Sequence, residues 1–268
     1  MTASLVVERV GPGVTIQDAG RPGHMHEGVP PGGPLVPEIC VASNRALGSD
    51  GGAAAIEIPL SRAAFRAIGQ IVIAVDGVIH ALADGEILRV DAGAEAVHYV
   101  ALPGGCDLPV LLGGRGTLLA AGFGGHDGRV LRRGDVIAAA GSPSAAATSV
   151  AITPLDDAPI RVVLGPDSFP NACVDALLGE GLVLSATMNR VGHRLDGVRF
   201  PVTGLDRQGS QGVVRGAIQV TTDGTPIVLG PDHPTTGGYP VIAVVVSSDW
   251  GRLARRRPGA HVRFVLAR

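Results

Sequence analysis

Glycine recurs between short apolar runs along the whole chain, and this spacing constrains the fold more than any other feature. Of the 268 residues, 40 are glycine and 20 are proline, whereas only 3% are aromatic. Glycine supplies positive φ angles and proline fixes turn geometry, so the pattern predicts many short strands joined by tight turns. The 46% of apolar residues is enough to form a core in one or two domains. We therefore expect a mainly β protein with few short helices.

Asp-Gly pairs indicate the positions of the first hairpins. In residues 70–101, short strand-like runs alternate with Asp76-Gly77 and Asp84-Gly85. Because Asp-Gly suits the type I′ turn, the segment predicts an antiparallel meander. Arg133-Gly134-Asp135 resembles another tight turn, which follows a second group of strands.

A change of composition divides the chain. Residues 140–159 lose periodicity and fill with Ala, Ser, Thr and Pro, which is typical of a linker. About six strand-like runs follow it and predict a second β unit. We place the domains at 1–145 and 146–268. Helices are expected at 37–47, at about 168–178, and at 249–256 with Ser248 or Asp249 as the N-cap.

The charged residues exclude several kinds of chemistry. All 22 basic residues are arginine, so the chain has no lysine for a Schiff base, a general base, a P-loop or covalent biotin. A net charge of −2 without a basic stripe argues against nucleic-acid binding. No apolar run approaches ~18 residues, and the N-terminus has no apolar signal core, so we expect a cytoplasmic protein without a membrane segment. The three cysteines have no CxxC spacing and are predicted to be reduced.

Two segments of the first half could hold a site. Residues 15–38 contain Arg21 and the run His24-Met25-His26-Glu27. Two histidines on an extended segment can face one metal ion, but no third ligand is nearby, so we predict a hydrogen-bonded loop and no metal. In residues 104–128, Arg115 lies among glycines, and composition favours tight turns with a surface arginine over an anion-binding nest.

Two segments of the second half are further candidates. In residues 187–196, Arg190 and Arg194 could hold an anionic substrate or pair with Asp196 or a partner protein, and both interpretations stay open. Gln219 lies on a strand, whereas Asp232, Thr235, Thr236 and Tyr239 lie on the loop after the next strand. If these strands pair through Asp223-Gly224, the polar groups meet at one end of the sheet, as a pocket requires.

Six motifs cover nearly the whole chain, and they are GVTIQDAGRPGHMHEGVPPGGPL (13–35), AAAIEIPL (53–60), GGCDLPVLLGGRGTLLAAGFGG (104–125), NRVGHRL (189–195), QGVVRGAIQV (211–220) and PDHPTTGGYPVIA (231–243). In content and order they resemble the KipA family, also called allophanate hydrolase subunit 2. At positions 113 and 116 the family commonly has serine, and this chain has glycine. The family includes the C subunit of 5-oxoprolinase and the matching half of the carboxyltransferase domain of urea carboxylase.

The resemblance implies two barrel-like β units of cyclophilin-like fold and a KipI-type partner, also called allophanate hydrolase subunit 1. It further implies a hydrolase complex with a third, lactam-hydrolysing subunit, in which 5-oxoproline is opened to glutamate with ATP. Two other functions fit the same family. The chain could be a carboxyltransferase half that receives carboxybiotin from another polypeptide, or a non-catalytic regulator that binds a KipI-type protein.

Lactam opening and carboxyl transfer both require donors that polarise an amide or lactam oxygen beside an anionic group, and the motifs contain such donors. We predict catalytic roles for Arg21, Arg190 and Tyr239. Contacts with substrate or nucleotide are predicted for the other polar and glycine positions of these motifs, which are His24, Arg115, Arg194, Gln219, Asp232, Thr235, Thr236, Gly237 and Gly238.

Overall fold

The computed structural model describes residues 3–145, 147–201 and 209–267, and the chain forms two compact units. The first comprises Met1–Arg21 and Gly32–Pro154, and the second comprises Pro22–Pro31 and Leu155–Arg268. The change from one unit to the other after Pro154 falls within the irregular stretch 140–159. The early segment Pro22–Pro31 groups with the second unit. A division of the sequence at one boundary would assign this segment to the first unit.

The first unit contains two antiparallel sheets and one helix. The helix α1 is Pro37–Ala46, and the strands are β1 Ser4–Val10, β2 Thr15–Gln17, β3 Ala55–Pro59, β4 Ala63–Ile68, β5 Ile71–Val75, β6 Val78–Leu82, β7 Ile87–Val90, β8 Val97–Ala101 and β9 Val136–Ala138. One sheet has the order β7-β4-β1-β9, and the other has the order β2-β3-β8-β5-β6. Side chains of both sheets, such as Leu5, Phe65, Ile56 and Ile73, share one buried core.

The predicted meander over residues 70–101 is correct for one hairpin and wrong for the next. β5 and β6 pair through Asp76-Gly77, with Val75 opposite Val78. Asp84-Gly85 instead connects two different sheets, because β7 pairs with β4 and not with β6. An Asp-Gly turn sets the local chain reversal, whereas the choice of ladder partner depends on which apolar faces meet in the core.

The second unit contains an eight-stranded sheet, a two-stranded sheet and two helices. The elements are β10 Ile160–Leu164, α2 Asn171–Leu178, β11 Leu182–Met188, β12 Gly192–Asp196, β13 Gln211–Gly212, β14 Ala217–Val220, β15 Pro226–Leu229, β16 Thr236–Gly237, β17 Val241–Val245, α3 Trp250–Ala254, β18 His261–Val262 and β19 Phe264–Leu266. The large sheet has the order β18-β11-β12-β15-β14-β17-β10-β19. Its two outermost strands follow each other directly in the chain, so the sheet curls into a near-barrel around its own core.

The expectation of a mainly β protein with few short helices is confirmed. All three predicted helices are present, and Gly48 follows α1 with a φ of 71°. Asp249 precedes α3, but its side chain makes no cap, because its carboxylate accepts hydrogen bonds from the backbone and guanidinium of Arg161. No helix among the described residues is long and apolar enough to cross a lipid bilayer. All three cysteines are buried free thiols.

Candidate functional site

The loop between β15 and β17, residues 232–240, contains the short strand β16, which pairs with β13, and we call these residues the Thr-Gly loop. Thr236 and Gly237 pair with Gly212 and Gln211 in the two-stranded sheet. The backbone N–H of Val213 donates to the carbonyl of Thr235 at 3.2 Å. This pairing leaves Thr236, Gly238 and Tyr239 exposed, whereas Thr235 is half-buried. The loop therefore presents hydroxyl groups and a glycine amide from a fixed backbone.

Gln219 supports the Thr-Gly loop from the sheet. This buried side chain on β14 donates from Nε2 to the carbonyl of Tyr239 at 3.2 Å. A Cβ atom on Gly237 would lie only 2.6 Å from the same Nε2, so the close approach depends on glycine. β14 and β15 pair around Asp223-Gly224, as the sequence predicted. The expectation that Gln219 and the loop meet at one end of the sheet is confirmed.

A buried ion pair fixes the start of the Thr-Gly loop. The guanidinium of Arg190 donates from Nε and Nη2 to the two carboxylate oxygens of Asp232, at 2.7 and 2.9 Å. The backbone N–H of Asp232 also donates to the carbonyl of Arg190 at 3.0 Å. Both residues are buried, so their pairing offsets part of the cost of removing the two charges from water. The pair thus joins the β11–β12 turn to the loop, and substrate contacts by either residue remain predictions.

Arg194 and Asn189 lie on either side of Arg190 in the sequence, but neither belongs to its ion pair with Asp232. Arg194 is exposed on β12, opposite Ile227 of β15. No ion pair with Asp196 involves Arg190 or Arg194 in the described part of the chain. Asn189 shapes the turn, because its Oδ1 accepts hydrogen bonds from the backbone N–H groups of Val191 and Gly192.

Burial favours the neutral form of two histidines of the second unit, His193 on β12 and His233 in the Thr-Gly loop. Burial, together with a smaller effect of the nearby positive charge of Arg215, lowers the pKa of His193 to about 4. The pKa of His233 is also lowered by burial, and its Nδ1 lies 2.7 Å from the carbonyl of Pro234. A carbonyl can only accept, so Nδ1 carries the proton and Nε2 is an acceptor. Both histidines lie in the polar segments found in the sequence, but no role was predicted for them, because a histidine pKa depends on burial that only the fold reveals.

Asp167 is a further residue that the sequence did not identify. Its Oδ2 accepts hydrogen bonds from the backbone N–H of Val241 at 2.7 Å and from Nε2 of Gln211 at 3.1 Å. It therefore links the strand that pairs with the Thr-Gly loop to the strand that follows the loop. No local pattern around Asp167 could have identified this contact.

In the first unit, Arg21 is buried inside the loop that connects β8 to β9. Its Nε donates to the carbonyl of Leu111 at 2.9 Å, and its Nη2 donates to those of Gly114 and Gly116 at 3.3 and 2.6 Å. Its guanidinium also lies over the ring of Phe123, 4.9 Å from the ring centre. These contacts organise the loop, and a direct catalytic role for Arg21 remains a prediction.

Arg115 follows the same turn and is half-buried. Its backbone N–H donates to Oδ2 of Asp18, and its Nε donates to the carbonyl of Leu108 at 2.8 Å. The turn prediction for this segment is confirmed, because Leu111 and Gly114 close a two-residue turn. A Cβ atom on Gly116 would lie 2.9 Å from Oδ1 of Asp18, so a serine at this position would require Asp18 to move.

His24 lies in the segment Pro22–Pro31, beside a single turn of 3-10 helix over Met25–Glu27. Its Nδ1 is 2.6 Å from a carboxylate oxygen of Glu27, in an exposed pair. Among the described residues, no three His, Cys, Asp or Glu side chains form a group that could hold a metal ion. The sequence predicted a hydrogen-bonded loop here, and the His24–Glu27 contact is such a bond.

Comparison with known proteins places this geometry in a family. The C subunit of 5-oxoprolinase from Escherichia coli is 32% identical over 97% of this chain and 90% of that protein. Urea amidolyase of Lachancea kluyveri is 29% identical over 94% of this chain, but the match covers only 16% of that protein. The crystal structure of the Kluyveromyces lactis urea carboxylase superposes with a TM-score of 0.84 at 25% identity, over 100% of this chain and 28% of that one.

The match to the family itself covers most of the sequence. The family described as "Carboxyltransferase domain, subdomain A and B" matches residues 27–266, a range that contains the Thr-Gly loop, its supports and the loop around Arg115. The chain belongs to this carboxyltransferase-domain family.

Proposed function

We propose that this chain is the C subunit of an ATP-dependent 5-oxoprolinase, which opens 5-oxoproline to glutamate in complex with a KipI-type subunit and a third, lactam-hydrolysing subunit. The observation that carries the proposal is the extent of one match. This chain and the C subunit of the Escherichia coli 5-oxoprolinase correspond over 97% and 90% of their lengths, whereas the match covers 16% of the urea amidolyase. A match to a whole subunit favours the task of that subunit.

The exposed face of the Thr-Gly loop is the proposed binding surface. ATP-dependent opening of a lactam requires donors aligned with the carbonyl oxygen while an anionic phosphoryl group is delivered. The hydroxyls of Thr236 and Tyr239 and the amide of Gly238 are such donors, on a backbone already fixed by neighbouring residues. Because the donors need no reorganisation when substrate arrives, their full hydrogen-bond strength is available to the transition state.

The buried residues around the loop would act by positioning it. Gln219 and the Arg190–Asp232 pair fix its backbone. Nε and Nη2 of Arg190 donate to Asp232, so these two nitrogens serve the positioning of the loop. Arg194 is exposed and could contact an anionic group directly. ATP would be bound within the complex, and phosphate binding by this chain would use arginine and backbone amides, since the sequence contains no lysine.

The test is ATP-dependent release of glutamate from 5-oxoproline by the co-purified complex. Tyr239→Phe removes one hydroxyl from the exposed face and is expected to lower kcat by about 10²-fold. Gly212→Ala is the matched control on the facing strand, because a Cβ atom there has no heavy atom within 4 Å. If the complex forms but has no turnover, and Tyr239→Phe changes only partner affinity, the chain is a regulator and the enzymatic proposal is wrong.

A second candidate is half of a biotin-dependent carboxyltransferase. It is favoured by the description of the matching family and by the likeness to urea carboxylase. Because the chain has no lysine, carboxybiotin would have to come from another polypeptide. The test is transfer of radiolabelled bicarbonate to urea by the chain with its partner, a biotin carboxylase and a biotin carrier. Transfer without glutamate release would replace the 5-oxoprolinase proposal.

A further inference from the structure

Four exposed apolar side chains lie on two turns of the first unit, and we call them the apolar tip. Val110, Leu111 and Leu112 are 52%, 43% and 45% exposed, and Leu119 is 44% exposed. Three of them are consecutive. A soluble surface normally interrupts such a run with polar residues, and a persistent exposed run is typical of an interaction site.

Leu112 of the apolar tip has a backbone conformation that is unfavourable for leucine. Leu111 and Gly114 exchange backbone hydrogen bonds of 2.8 and 3.1 Å around the turn residues Leu112 and Gly113. Leu112 has a φ of 50°, in the left-handed region where Gly, Asn and Asp are the usual residues. Its side chain is nevertheless leucine, and 45% of it stays exposed within this chain. A polar residue would suit an exposed turn of this shape better, so the leucine points to a contact outside the chain.

Arg21 holds both turns of the apolar tip from inside. Its guanidinium donates to the carbonyls of Leu111 and Gly114 on one turn, and it lies over the ring of Phe123 on the other. Leu118 and Phe123 close this second turn, which carries Leu119. An apolar surface whose backbone is already held by such contacts loses less conformational entropy on binding, which favours association.

Arg115 adds a positive charge beside the apolar tip. Its Nε is bonded to the carbonyl of Leu108, but its two Nη groups have no hydrogen-bond partner among the described residues. A guanidinium with this free end can bind a carboxylate with both nitrogens. The expected partner surface is therefore an apolar pocket with an acidic residue at its rim.

We propose that the apolar tip and Arg115 form the docking surface for a separate protein subunit of this chemistry. The inference rests on the proposed function for the partner, which is the KipI-type subunit. One relative supports it: the same fold makes up 28% of the urea carboxylase chain, so in that protein it is joined to further segments of the same polypeptide. In the proposed complex the neighbour is a separate polypeptide and must be bound through the surface, and the apolar tip has the exposure and the charge for that contact.

The experiment measures binding of the full chain to the purified KipI-type protein from the same genome by calorimetry. Leu112→Asp is expected to weaken binding at least tenfold without lowering Tm, because aspartate tolerates the left-handed turn but is repelled by an acidic rim. Arg115→Gln is expected to weaken binding about fivefold and to reduce its salt dependence. Val78→Asp is the matched control, since Val78 is an exposed valine of the first unit outside the apolar tip, and it should bind like the unsubstituted chain.

Each outcome decides for or against the docking surface. Normal binding by Leu112→Asp and Arg115→Gln, or no binding by the unsubstituted chain, would overturn it. A chain that is dimeric alone and becomes monomeric with Leu112→Asp would show that a second copy covers the apolar tip, which also overturns it. Glutamate release is measured separately: a complex that forms through the tip but has no turnover refutes only the proposed activity.

Discussion

The chain uses a buried arginine to fix a loop twice, once in each unit, but the two arginines have different partners. Arg21 donates to three backbone carbonyls and lies over an aromatic ring. Arg190 forms a two-point ion pair with Asp232. The loop around Arg21 exposes valine and leucine, whereas the Thr-Gly loop exposes threonine, glycine and tyrosine.

The difference indicates different tasks for the two loops. A fixed apolar surface suits contact with another protein, and a fixed surface of hydroxyls and amides suits a small polar ligand. The arginine in each case supplies rigidity, and the exposed residues supply the chemistry. Breaking the two contacts should also have different consequences. A buried charged group that loses its ion-pair partner costs more free energy than a buried carbonyl that loses a donor.

The largest effect is expected from breaking the ion pair. Asp232→Leu leaves the Arg190 guanidinium buried without its carboxylate and should lower the free energy of unfolding by about 3–5 kcal/mol. The measurement is urea denaturation followed by circular dichroism. The double variant Arg190→Met/Asp232→Leu removes both charges and should recover more than half of the loss. Equal instability of the single and double variants would contradict the account.

Arg21→Met should have a somewhat smaller effect. Three carbonyls lose a charged donor, and the free energy of unfolding is expected to fall by about 3 kcal/mol. The same variant should weaken partner binding, because the apolar tip is no longer held in place. Arg21→Lys keeps the charge but cannot reach all three carbonyls in one plane. If Arg21→Lys lowers kcat while the urea midpoint stays constant, Arg21 has the catalytic role that the sequence predicted.

The stability of the second unit should depend on pH through His193 of β12. His193 has a pKa of about 4 in the folded chain, against an ordinary value of 6.5. Between these values the unfolded chain binds more protons than the folded chain, so stability is complete above pH 6.5 and falls as the pH decreases toward 4. At pH 5 the expected loss is about 2 kcal/mol.

Urea midpoints between pH 5 and 7 measure this loss. His193→Gln should reduce the pH dependence, and burial of His233, which also lowers its pKa, accounts for part of the dependence that remains. An unchanged slope in His193→Gln would show that another group controls the acid response.

The smallest effect is expected from a methyl group in the Thr-Gly loop. Gly237→Ala places a Cβ atom 2.6 Å from Nε2 of Gln219, so the amide must move and lose its bond to Tyr239. The expected cost is about 1 kcal/mol of stability. Gly212→Ala, on the facing strand, should change the free energy of unfolding by less than about 0.5 kcal/mol. Similar costs for both variants would mean that backbone flexibility, and not the Gln219 contact, requires glycine at 237.

Local signals in the sequence predicted much of the fold. The helix expected at 37–47 is α1, Asp76-Gly77 and Asp223-Gly224 gave two hairpins, and short apolar runs gave most strands of the second unit. The strand β12 was not predicted, because its sequence GHRLD carries a glycine and two basic residues on an otherwise weak alternation. Such a strand is stabilised by its neighbours β11 and β15 and not by its own propensity.

The candidate site was predicted in part. Gln219 and the Thr-Gly loop were expected at one end of the sheet, since a hairpin places its strand ends together. Asp167, His193 and His233 were not predicted as part of it. Their roles come from burial and from contacts with the backbone of residues distant in the sequence, and no motif encodes either.

The sequence by itself determined the mainly β class, the turn positions, the absence of lysine chemistry and, through its motifs, the family. These features depend on residue type and on neighbours a few positions away. The tertiary structure decided what each arginine contacts. Arg21 and Gly116 are 95 residues apart, and Arg190 and Asp232 are 42 apart. A guanidinium bonds any suitable oxygen within reach, so only the folded chain determines which oxygen it finds and which surface it leaves exposed.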